Sequence, residues 1–361
     1  MENLYEFDEE FRDTISTVDN KGKRVWVHPK KPAGKFHSKR VIVSIVLLLL
    51  LLGGPFIKIN GHPLMLINVF ERKFIFFGIA FWPQDFHILA LMMIAFVVFI
   101  VLFTVVFGRV WCGWACPQTI FMEMVFRKIE YWIEGDANAQ RKLNTQKWDK
   151  EKFLKKVSKY SIFFGLSFFI SNIFLAYIIG ADELYKIISA PPAEHLQGLI
   201  AILIFSGIFY WVFAYFREQA CTIVCPYGRL QGVLLDQDSL VIAYDYKRGE
   251  PRGKLRKNEE QNLGDCVDCK LCIDVCPTGI DIRNGIQLEC VNCTACIDAC
   301  DYVMEKINRP KGLIKYASQN GIEKQSKFRF TPRMITYSIL LFVLTSLLGY
   351  LLSVRTDFNV N

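Results

Sequence analysis

Long apolar runs separated by charged segments are the main pattern along the sequence. Five of these runs are long enough for a helix to cross a bilayer, which takes roughly 20 residues. They are Val41–Ile57, Phe86–Phe107, Tyr160–Ile179, Leu196–Phe216 and Met334–Val354. The pattern predicts an α-helical integral membrane protein with five transmembrane helices. The first run begins too far from the amino terminus, and lacks the small-residue cleavage site, to be a removable signal peptide.

Basic residues are distributed unevenly among the segments between these spans. If the amino terminus is inside, the cytoplasmic segments hold 38 of the Lys and Arg residues and the outer segments hold 5. Because Lys and Arg accumulate on the cytoplasmic side, the distribution predicts an inner-membrane protein with its amino terminus inside and its carboxyl terminus outside. The basic stretches Lys21–Arg40 and Lys147–Lys159 are then expected against anionic lipid head groups.

The composition agrees with a membrane protein. Hydrophobic residues make up 52% of the chain and 30 residues are Phe, a profile typical of long apolar spans rather than of a soluble domain. The net charge of +8 mostly reflects the topology. No recognisable nucleic-acid-binding module accompanies that charge, so we expect no nucleic-acid partner.

Eight of the twelve cysteines form two matching runs. The first is Cys266-Val-Asp-Cys269-Lys-Leu-Cys272-Ile-Asp-Val-Cys276, and the second, which begins 24 residues later, is Cys290-Val-Asn-Cys293-Thr-Ala-Cys296-Ile-Asp-Ala-Cys300. Two-residue gaps let three consecutive thiolates surround one small cluster. In the bacterial two-cluster arrangement the fourth cysteine of each run binds the other cluster.

This spacing predicts two [4Fe–4S] clusters in a ferredoxin-like cytoplasmic domain. The first cluster set is Cys266, Cys269, Cys272 and Cys300, and the second cluster set is Cys276, Cys290, Cys293 and Cys296. The alternatives are two zinc sites or a disulfide framework. Tetrahedral zinc normally uses two separated pairs of ligands, which leaves no role for a third cysteine two residues on. Disulfides are unfavourable in the reducing cytosol, where the topology places these residues.

The other four cysteines form two pairs, each at the inner end of a predicted span. The second span is followed by Cys112-Gly-Trp-Ala-Cys116-Pro117, and the fourth by Cys221-Thr-Ile-Val-Cys225-Pro226. A separation of four residues places the members of each pair on one face of a helix. We interpret the membrane part as two similar halves whose cysteine pairs lie at the same depth.

Cys112, Cys116, Cys221 and Cys225 are called the four-thiol group below. Brought together, they would hold a further iron–sulfur cluster or soft monovalent copper. The alternative is that they pack as small hydrophobic side chains. The shared spacing, proline and depth favour a metal or redox role and leave the metal undetermined. After the first pair, Gln118–Glu134 has apolar residues at helical spacing and predicts an amphipathic helix on the inner membrane surface.

These features divide the chain into five parts. Residues 1–40 are predicted to be a loosely ordered cytoplasmic tail, and residues 41–235 a four-helix membrane core with both Cys-x-x-x-Cys-Pro motifs. Residues 236–333 form the ferredoxin-like domain with its linkers, residues 334–354 the fifth transmembrane helix, and residues 355–361 a short periplasmic tail.

Several stretches of the sequence resemble those of one protein family. They are Ile59-Asn-Gly-His-Pro-Leu64, Phe81-Trp-Pro-Gln-Asp85, Gly108-Arg-Val-Trp-Cys-Gly-Trp-Ala-Cys-Pro-Gln-Thr119, Arg217-Glu-Gln-Ala-Cys-Thr-Ile-Val-Cys-Pro-Tyr227 and Arg248-Gly-Glu-Pro-Arg-Gly253. With the doubled ferredoxin run, and in this order, they closely resemble the FixG/CcoG/RdxA family of accessory proteins for the cbb-type cytochrome c oxidase. The resemblance extends from about Val25 through the last span.

The resemblance implies a bacterial inner-membrane protein that reduces cupric to cuprous copper in the cytoplasm. It implies a copper-exporting P-type ATPase and oxidase assembly factors as partners. It also implies an immunoglobulin-like domain outside the membrane after the last span, whereas the sequence ends at Asn361.

Given the copper reduction that the resemblance implies, we expect single electrons to pass through the two clusters to copper held at or near the four-thiol group. The sequence does not identify the electron donor. Two other functions stay open. A quinol-linked membrane electron relay would not need copper, and a non-enzymatic oxidase assembly scaffold would use the clusters only to hold the cytoplasmic domain together.

Overall fold

The chain forms two compact units in a computed structural model. The structure describes residues 16–19, 21–59, 62–68, 73–76, 78–81, 85–189, 191, 195–254, 263–325 and 329–354. Residues 1–15 of the predicted cytoplasmic tail and the predicted periplasmic tail at 355–361 lie outside these ranges. The cysteine-bearing unit comprises Met1–Ile45, Thr104–Tyr160 and Phe216–Arg329, and the apolar unit comprises Val46–Phe103, Ser161–Tyr215 and Phe330–Asn361.

Five helices have the length and apolar composition needed to cross a membrane, as the sequence predicts. They are Lys35–Phe56, Phe86–Phe107, Lys150–Ile179, Leu196–Phe216 and Pro332–Val354. The first ends in a 3₁₀ turn over Gly54–Phe56, and the fourth in a π-helical turn over Val212–Phe216. Two of the helices begin at Lys35 and Lys150, ahead of the apolar runs, because their first turns are helical but charged. Hydropathy therefore locates the spans and misses their polar first turns.

The apolar unit also contains two small antiparallel sheets between its first two spans. Lys58–Ile59 pairs with His62–Pro63, while Met65–Asn68, Lys73–Phe76 and Ile79–Phe81 form a three-stranded sheet in chain order. In the larger sheet Leu66 lies opposite Ile75, and both side chains are buried. The short helix Ala181–Ser189 packs its Leu184 against Ala176 and Ile202. All twelve cysteines belong to the other unit.

Short helices and tight turns make up most of the cysteine-bearing unit. The helices in the first part are Val110–Trp114, Pro117–Ile120, a π-helical segment Phe121–Phe126, Arg127–Ile133 and Ala137–Thr145. Those that follow are a π-helical segment Ala220–Val224, Pro226–Leu234, Tyr246–Gly249, Leu271–Asp274, a 3₁₀ turn Ile282–Asn284, Ala295–Lys306 and Gln319–Glu323. The strands Val241–Tyr244 and Ile314–Ala317 pair antiparallel, with Ile242 opposite Tyr316. Ile242 and Ile314 belong to the same hydrophobic core as Cys266, Cys272 and Cys296, so residues of both cysteine runs pack with these two strands.

Residues 21–34 are packed against the rest of the unit, which differs from the loosely ordered tail that their polar composition predicts. The backbone N–H of Lys30 donates to the carbonyl of Asp274, and that of Lys31 donates to the side chain of Asp136. The Tyr131 hydroxyl donates to the carbonyl of Pro29. These bonds use backbone groups of the segment. They do not require a periodic pattern of apolar residues, so the sequence gives no sign of them.

Candidate metal centres

The two cysteine runs repeat in backbone conformation as well as in sequence. Asp268 and Lys270 in the first run have φ values of 49° and 57°, and Asn292 and Thr294 occupy the same places in the second run with 53° and 67°. Non-glycine residues in this left-handed region are uncommon and mark tight turns. These turns lie between the first three cysteines of each run. Each run therefore curls its three closely spaced thiols in the same way.

The structure brings the thiols of the first cluster set together. Cys300, from the second run, lies near enough to Cys266, Cys269 and Cys272 for their negative charges to act on its own thiol. Burial, followed by those charges, raises the pKa of Cys300 to about 12. Cys266 and Cys272 are buried in the same core, whereas Cys269 is exposed. This set therefore has one thiol that is open to solvent.

The thiols of the second cluster set are also grouped together. Cys276, from the first run, acts electrostatically on Cys290, Cys293 and Cys296. Burial raises the pKa of Cys290 to about 12 and that of Cys293 to about 11. Cys293 and Cys296 are buried, and Cys276 and Cys290 are half-buried. No member of this set is exposed.

The donor set and the surrounding space fit an iron–sulfur cluster. All four members of the second cluster set, with Cys272, line a cavity with about 330 Å³ of empty space, counting its opening to solvent. Apolar side chains such as Ile242 and Ile280 form the rest of its wall. Within the described residues, no three Cys, His, Asp or Glu side chains converge on the position of a single metal ion. Thiols spread around a cavity suit a multinuclear cluster held by four cysteines.

All twelve cysteines are free thiols in the structure. The buried thiols resist ionisation, because removing a thiolate from water without a counter-charge is costly. Metal binding supplies that charge and deprotonates the thiols. A disulfide framework, one of the alternatives that the spacing leaves open, is therefore not the arrangement in this structure.

The four-thiol group also comes together. Cys221 lies near enough to Cys116, Cys112 and Cys225 for their charges to act on it, and burial raises its pKa to about 12. The Cys112 thiol donates a hydrogen bond of 2.8 Å to Oε1 of the buried Gln231. The Cys225 sulfur accepts a bond of 3.4 Å from the backbone N–H of Gly228. Pro117 and Pro226 each begin a helix directly after a cysteine, as proline at the first helical position favours.

The helix that carries Cys112 packs directly on the loop that carries the second cluster set. Cys112 belongs to the same hydrophobic cluster as Val291 and Cys293. A Cβ atom on Gly113 would lie 2.4 Å from the carbonyl oxygen of Val291 and 2.8 Å from that of Asn292. Glycine at this position is therefore needed for the close approach of the two backbones. The four-thiol group and the second cluster set are immediate neighbours.

A buried charge network that sequence reasoning missed supports the segment between the cysteine pairs. Glu130 is 2% exposed and accepts two hydrogen bonds, of 2.6 and 2.8 Å, from the guanidinium of Arg217. Burial alone would raise the pKa of Glu130, but Arg217 and Lys159 lower it to about 2. The segment Gln118–Glu134 differs from the single amphipathic helix that its spacing predicts, because a π-helical stretch over Phe121–Phe126 interrupts it. Its polar face is buried against Arg217, whereas Trp132 is 81% exposed.

Two protein-family models match parts of this chain. A family model described as a 4Fe-4S dicluster domain matches residues 216–319, and one described as a 4Fe-4S binding domain matches residues 89–136. The second of these ranges contains Cys112 and Cys116. No solved structure matches the chain.

Three relatives are similar over most of this chain. Protein RdxB of Cereibacter sphaeroides is 37% identical over 328 residues, which are 87% of this chain and 68% of RdxB. Nitrogen fixation protein FixG of Rhizobium meliloti is 39% identical over 82% of this chain and 58% of FixG. Protein RdxA of Cereibacter sphaeroides is 38% identical over 81% of this chain and 62% of RdxA. The chain thus spans about six tenths of the length of FixG and RdxA.

The dicluster domain and the five long apolar helices define a membrane protein of the iron–sulfur electron-transfer class. Within that class, the chain belongs to the family that contains RdxB, FixG and RdxA.

Proposed function

We propose that this protein delivers single electrons to copper, and that it reduces Cu(II) to Cu(I) at the four-thiol group. The observation that carries the proposal is the packing of Cys112 against Cys293 and Val291. This contact makes a group of four thiols the neighbour of a set of cluster ligands. The close approach of the two backbones at Gly113 keeps the two groups of thiols adjacent.

The donor chemistry explains why copper is the substrate. Thiolate is a soft ligand, so four cysteines bind Cu(I) in preference to Cu(II). A site that binds the reduced ion more tightly makes the reduction more favourable by the difference between the two binding free energies. Each copper ion takes up one electron in the step from Cu(II) to Cu(I). The site partly shields the reduced ion from water, because Cys112 is buried and Cys221 is half-buried.

Hydrogen bonds from neighbouring residues hold Cys112 of the four-thiol group in place. Gln231 accepts from Cys112 and donates 3.2 Å to the Thr104 hydroxyl and 2.8 Å to the Tyr227 hydroxyl. Such a network holds the cysteine in one orientation. In the proposal, the first and second cluster sets bind one [4Fe–4S] cluster each. When bound, such a cluster supplies one electron at a time.

The proposal places the ferredoxin-like domain and the four-thiol group on the cytoplasmic side. It rests on the excess of Lys and Arg in the segments that would lie inside. The two Cys-x-x-x-Cys-Pro motifs would then end two similar halves of the membrane core, residues 41–235. The ferredoxin-like domain, residues 236–333, would be inserted before the fifth span.

The resemblance to oxidase accessory proteins suggests the destination of the copper. We propose that the reduced ion passes to a copper-exporting P-type ATPase and to assembly factors of a cbb-type cytochrome c oxidase.

An anaerobic reduction assay tests the function. Purified protein with its clusters reduced is mixed with Cu(II), and Cu(I) is followed with a chelator specific for the cuprous ion. We expect one Cu(I) for each electron released by the clusters, and a loss of that conversion in a Cys112→Ala/Cys221→Ala variant that keeps its iron and sulfide. Fully reduced wild-type protein that leaves Cu(II) unchanged would refute the proposal. Iron found at the four-thiol group, in place of copper, would also count against it.

A further inference from the structure

Two guanidinium groups are buried where the four-thiol group meets the second cluster set. Arg109 directly precedes the helix of Cys112 and is 3% exposed, and Arg40 is 4% exposed. Among the described residues, neither of them forms an ion pair with a carboxylate, and Nε of Arg109 and one terminal nitrogen of Arg40 have no hydrogen-bond partner. By contrast, the buried Arg217 pairs with Glu130.

A buried cation without an anion is expensive. Arginine stays protonated in proteins, and an isolated charge in a protein interior costs several kcal/mol unless an opposite charge compensates it. The structure must therefore supply a negative group next to these arginines. The anions at hand are thiolates and the metal centres that thiolates hold.

The contacts of Arg109 reach both centres. Its guanidinium is within hydrogen-bonding reach of Cys112, and its charge also acts on Cys290. One terminal nitrogen donates to the carbonyl of Leu288, two residues before Cys290. The other terminal nitrogen would lie 2.7 Å from a Cβ atom on Gly228, so the glycine after Cys225-Pro226-Tyr227 leaves room for the guanidinium.

The contacts of Arg40 involve the helix of Cys112 and the second cluster set. Its Nε donates 2.7 Å to the carbonyl of Gly113, and its charge acts on Cys293. Arg40 therefore faces the second cluster set, whereas Arg109 lies between that set and the four-thiol group. The first cluster set has a different arginine beside it: Cys272 has Arg283, which is already paired with Asp268 and Asp281.

We propose that Arg109 is the shared counter-cation of the four-thiol group and the second cluster set, and that its fixed charge favours the more negative, reduced state of that cluster and thiolate binding of Cu(I). The inference rests on the proposed function, because it takes over the assignment of the cysteines. Added negative charge at either centre is stabilised by a positive charge that the low-dielectric interior does not screen. Charge and hydrogen bonds near the sulfurs are among the factors that set cluster potentials.

Redox titration of purified protein, followed by electron paramagnetic resonance in the absence of copper, tests this role. For Arg109→Gln with full iron and sulfide, we expect the equilibrium constant for reduction of one cluster to fall about tenfold, which is about 59 mV for a one-electron couple. The other cluster should keep its midpoint and serves as an internal control. Cu(I) affinity, measured by competition with a cuprous chelator, should fall by a similar factor.

Three further variants separate charge from packing. Arg109→Lys keeps the charge and loses the bond to Leu288, so both readouts should stay close to wild type. Arg40→Gln should lower the same cluster midpoint and leave Cu(I) affinity unchanged. Lys315→Gln removes an exposed positive charge paired with Asp245 and should change neither readout.

Unchanged midpoints and unchanged Cu(I) affinity in an iron-replete Arg109→Gln protein would overturn the proposal. It would be equally overturned if Arg109→Gln and Arg109→Lys both failed to assemble clusters, because the role would then be structural. The potentials are measured without copper and without turnover. A failed Cu(II) reduction by wild-type protein, together with the expected shift in Arg109→Gln, would reject the proposed function and leave the charge role of Arg109 in place.

Discussion

The two cluster sets have nearly identical sequences and different surroundings. The first cluster set includes the exposed Cys269, and the arginine next to it, Arg283, is neutralised by two aspartates. The second cluster set has no exposed member and packs against the helix of Cys112. Its neighbouring arginines, Arg40 and Arg109, have no carboxylate partner among the described residues.

This difference shows that a repeated sequence motif can be placed in two different environments by the residues around it. The first cluster set has a cysteine open to solvent. The buried set faces the four-thiol group. Variants that act on one cluster set and not on the other test this difference.

Replacement of one cysteine in each set should have the largest effect. Serine is a poor substitute for a soft thiolate ligand, so we expect Cys293→Ser and Cys269→Ser each to lose one of the two clusters. Iron and sulfide analysis should give about half of the wild-type content in each variant. Only Cys293→Ser should also weaken Cu(I) binding, since Cys293 shares a hydrophobic cluster with Cys112.

Cys269→Ser is the control for Cys293→Ser. If Cys269→Ser weakened Cu(I) binding as much as Cys293→Ser did, the two sets would not differ in their relation to the four-thiol group, and the comparison would fail.

Loss of the Glu130 carboxylate should have the next largest effect. Glu130→Gln leaves Arg217 buried without its bidentate partner, and breaking a buried pair in this way costs about 3–5 kcal/mol. Denaturant unfolding of the cysteine-bearing unit should report the loss. Glu305→Gln, which removes an exposed pair with Lys311, serves as the control and should leave the unfolding midpoint unchanged.

The same pair predicts a pH dependence. The folded-state pKa of Glu130 is lowered from 4.5 to about 2, so the pair stabilises the folded state fully above pH 4.5 and loses that contribution as the pH falls towards 2. The stability gap between wild type and Glu130→Gln should therefore be constant near neutral pH and should narrow below pH 4.5. A gap that widened on acidification would contradict the assignment of the charged state.

Crowding the contact at Gly113 should have a smaller effect, on the second cluster set alone. An added methyl group would press on the carbonyl oxygens of Val291 and Asn292, and overpacking of this kind costs about 1–3 kcal/mol. We expect Gly113→Ala to release iron to a chelator faster from one cluster than from the other. Gly207→Ala is the matched control, since nothing lies within 4 Å of a Cβ at that position.

The smallest effect is expected at the exposed set. Asp268 hydrogen-bonds with Arg283 at 2.5 Å, and that bond lowers the pKa of Asp268. Asp268→Asn leaves Arg283 paired with Asp281, and the pair is partly exposed, so the change should be slight. A small increase in chelator accessibility of one cluster, with no change in Cu(I) affinity, is the expected result. A change in Cu(I) affinity would contradict the separation of the two sets.

The local features of this protein follow from its sequence, and the contacts between distant segments do not. The apolar runs predict five spanning helices, and the short apolar run Leu240-Val-Ile-Ala-Tyr is typical of a buried strand, which the structure has at Val241–Tyr244. Cysteine spacing is a local signal as well, because it reflects the turns at Lys270 and Thr294. All of these need only neighbouring residues.

The charge compensation at the candidate site depends on long-range pairs. Arg40 and Gly113 are 73 positions apart, and Glu130 and Arg217 are 87 apart. Neither pair has a spacing that marks it, and both arginines look in the sequence like the basic residues that set membrane topology. Arg40 lies in a stretch that the sequence assigns to lipid head groups, whereas the structure buries it beside the cluster ligands. Only burial in the folded structure distinguishes these arginines from the basic residues that set membrane topology.

The first spanning helix is capped at its start by a side chain that comes much later in the sequence. The backbone N–H groups of Phe36 and His37 donate to the two carboxylate oxygens of Asp298, at 3.1 and 2.7 Å. Asp298 is 261 positions beyond His37 and stands between Cys296 and Cys300. During synthesis, this helix start therefore stays uncapped until the ribosome has finished the cysteine-rich segment, and it closes only when that segment folds. We expect protease sensitivity around Lys35 in nascent chains to fall once the segment around Asp298 has been synthesised and folded.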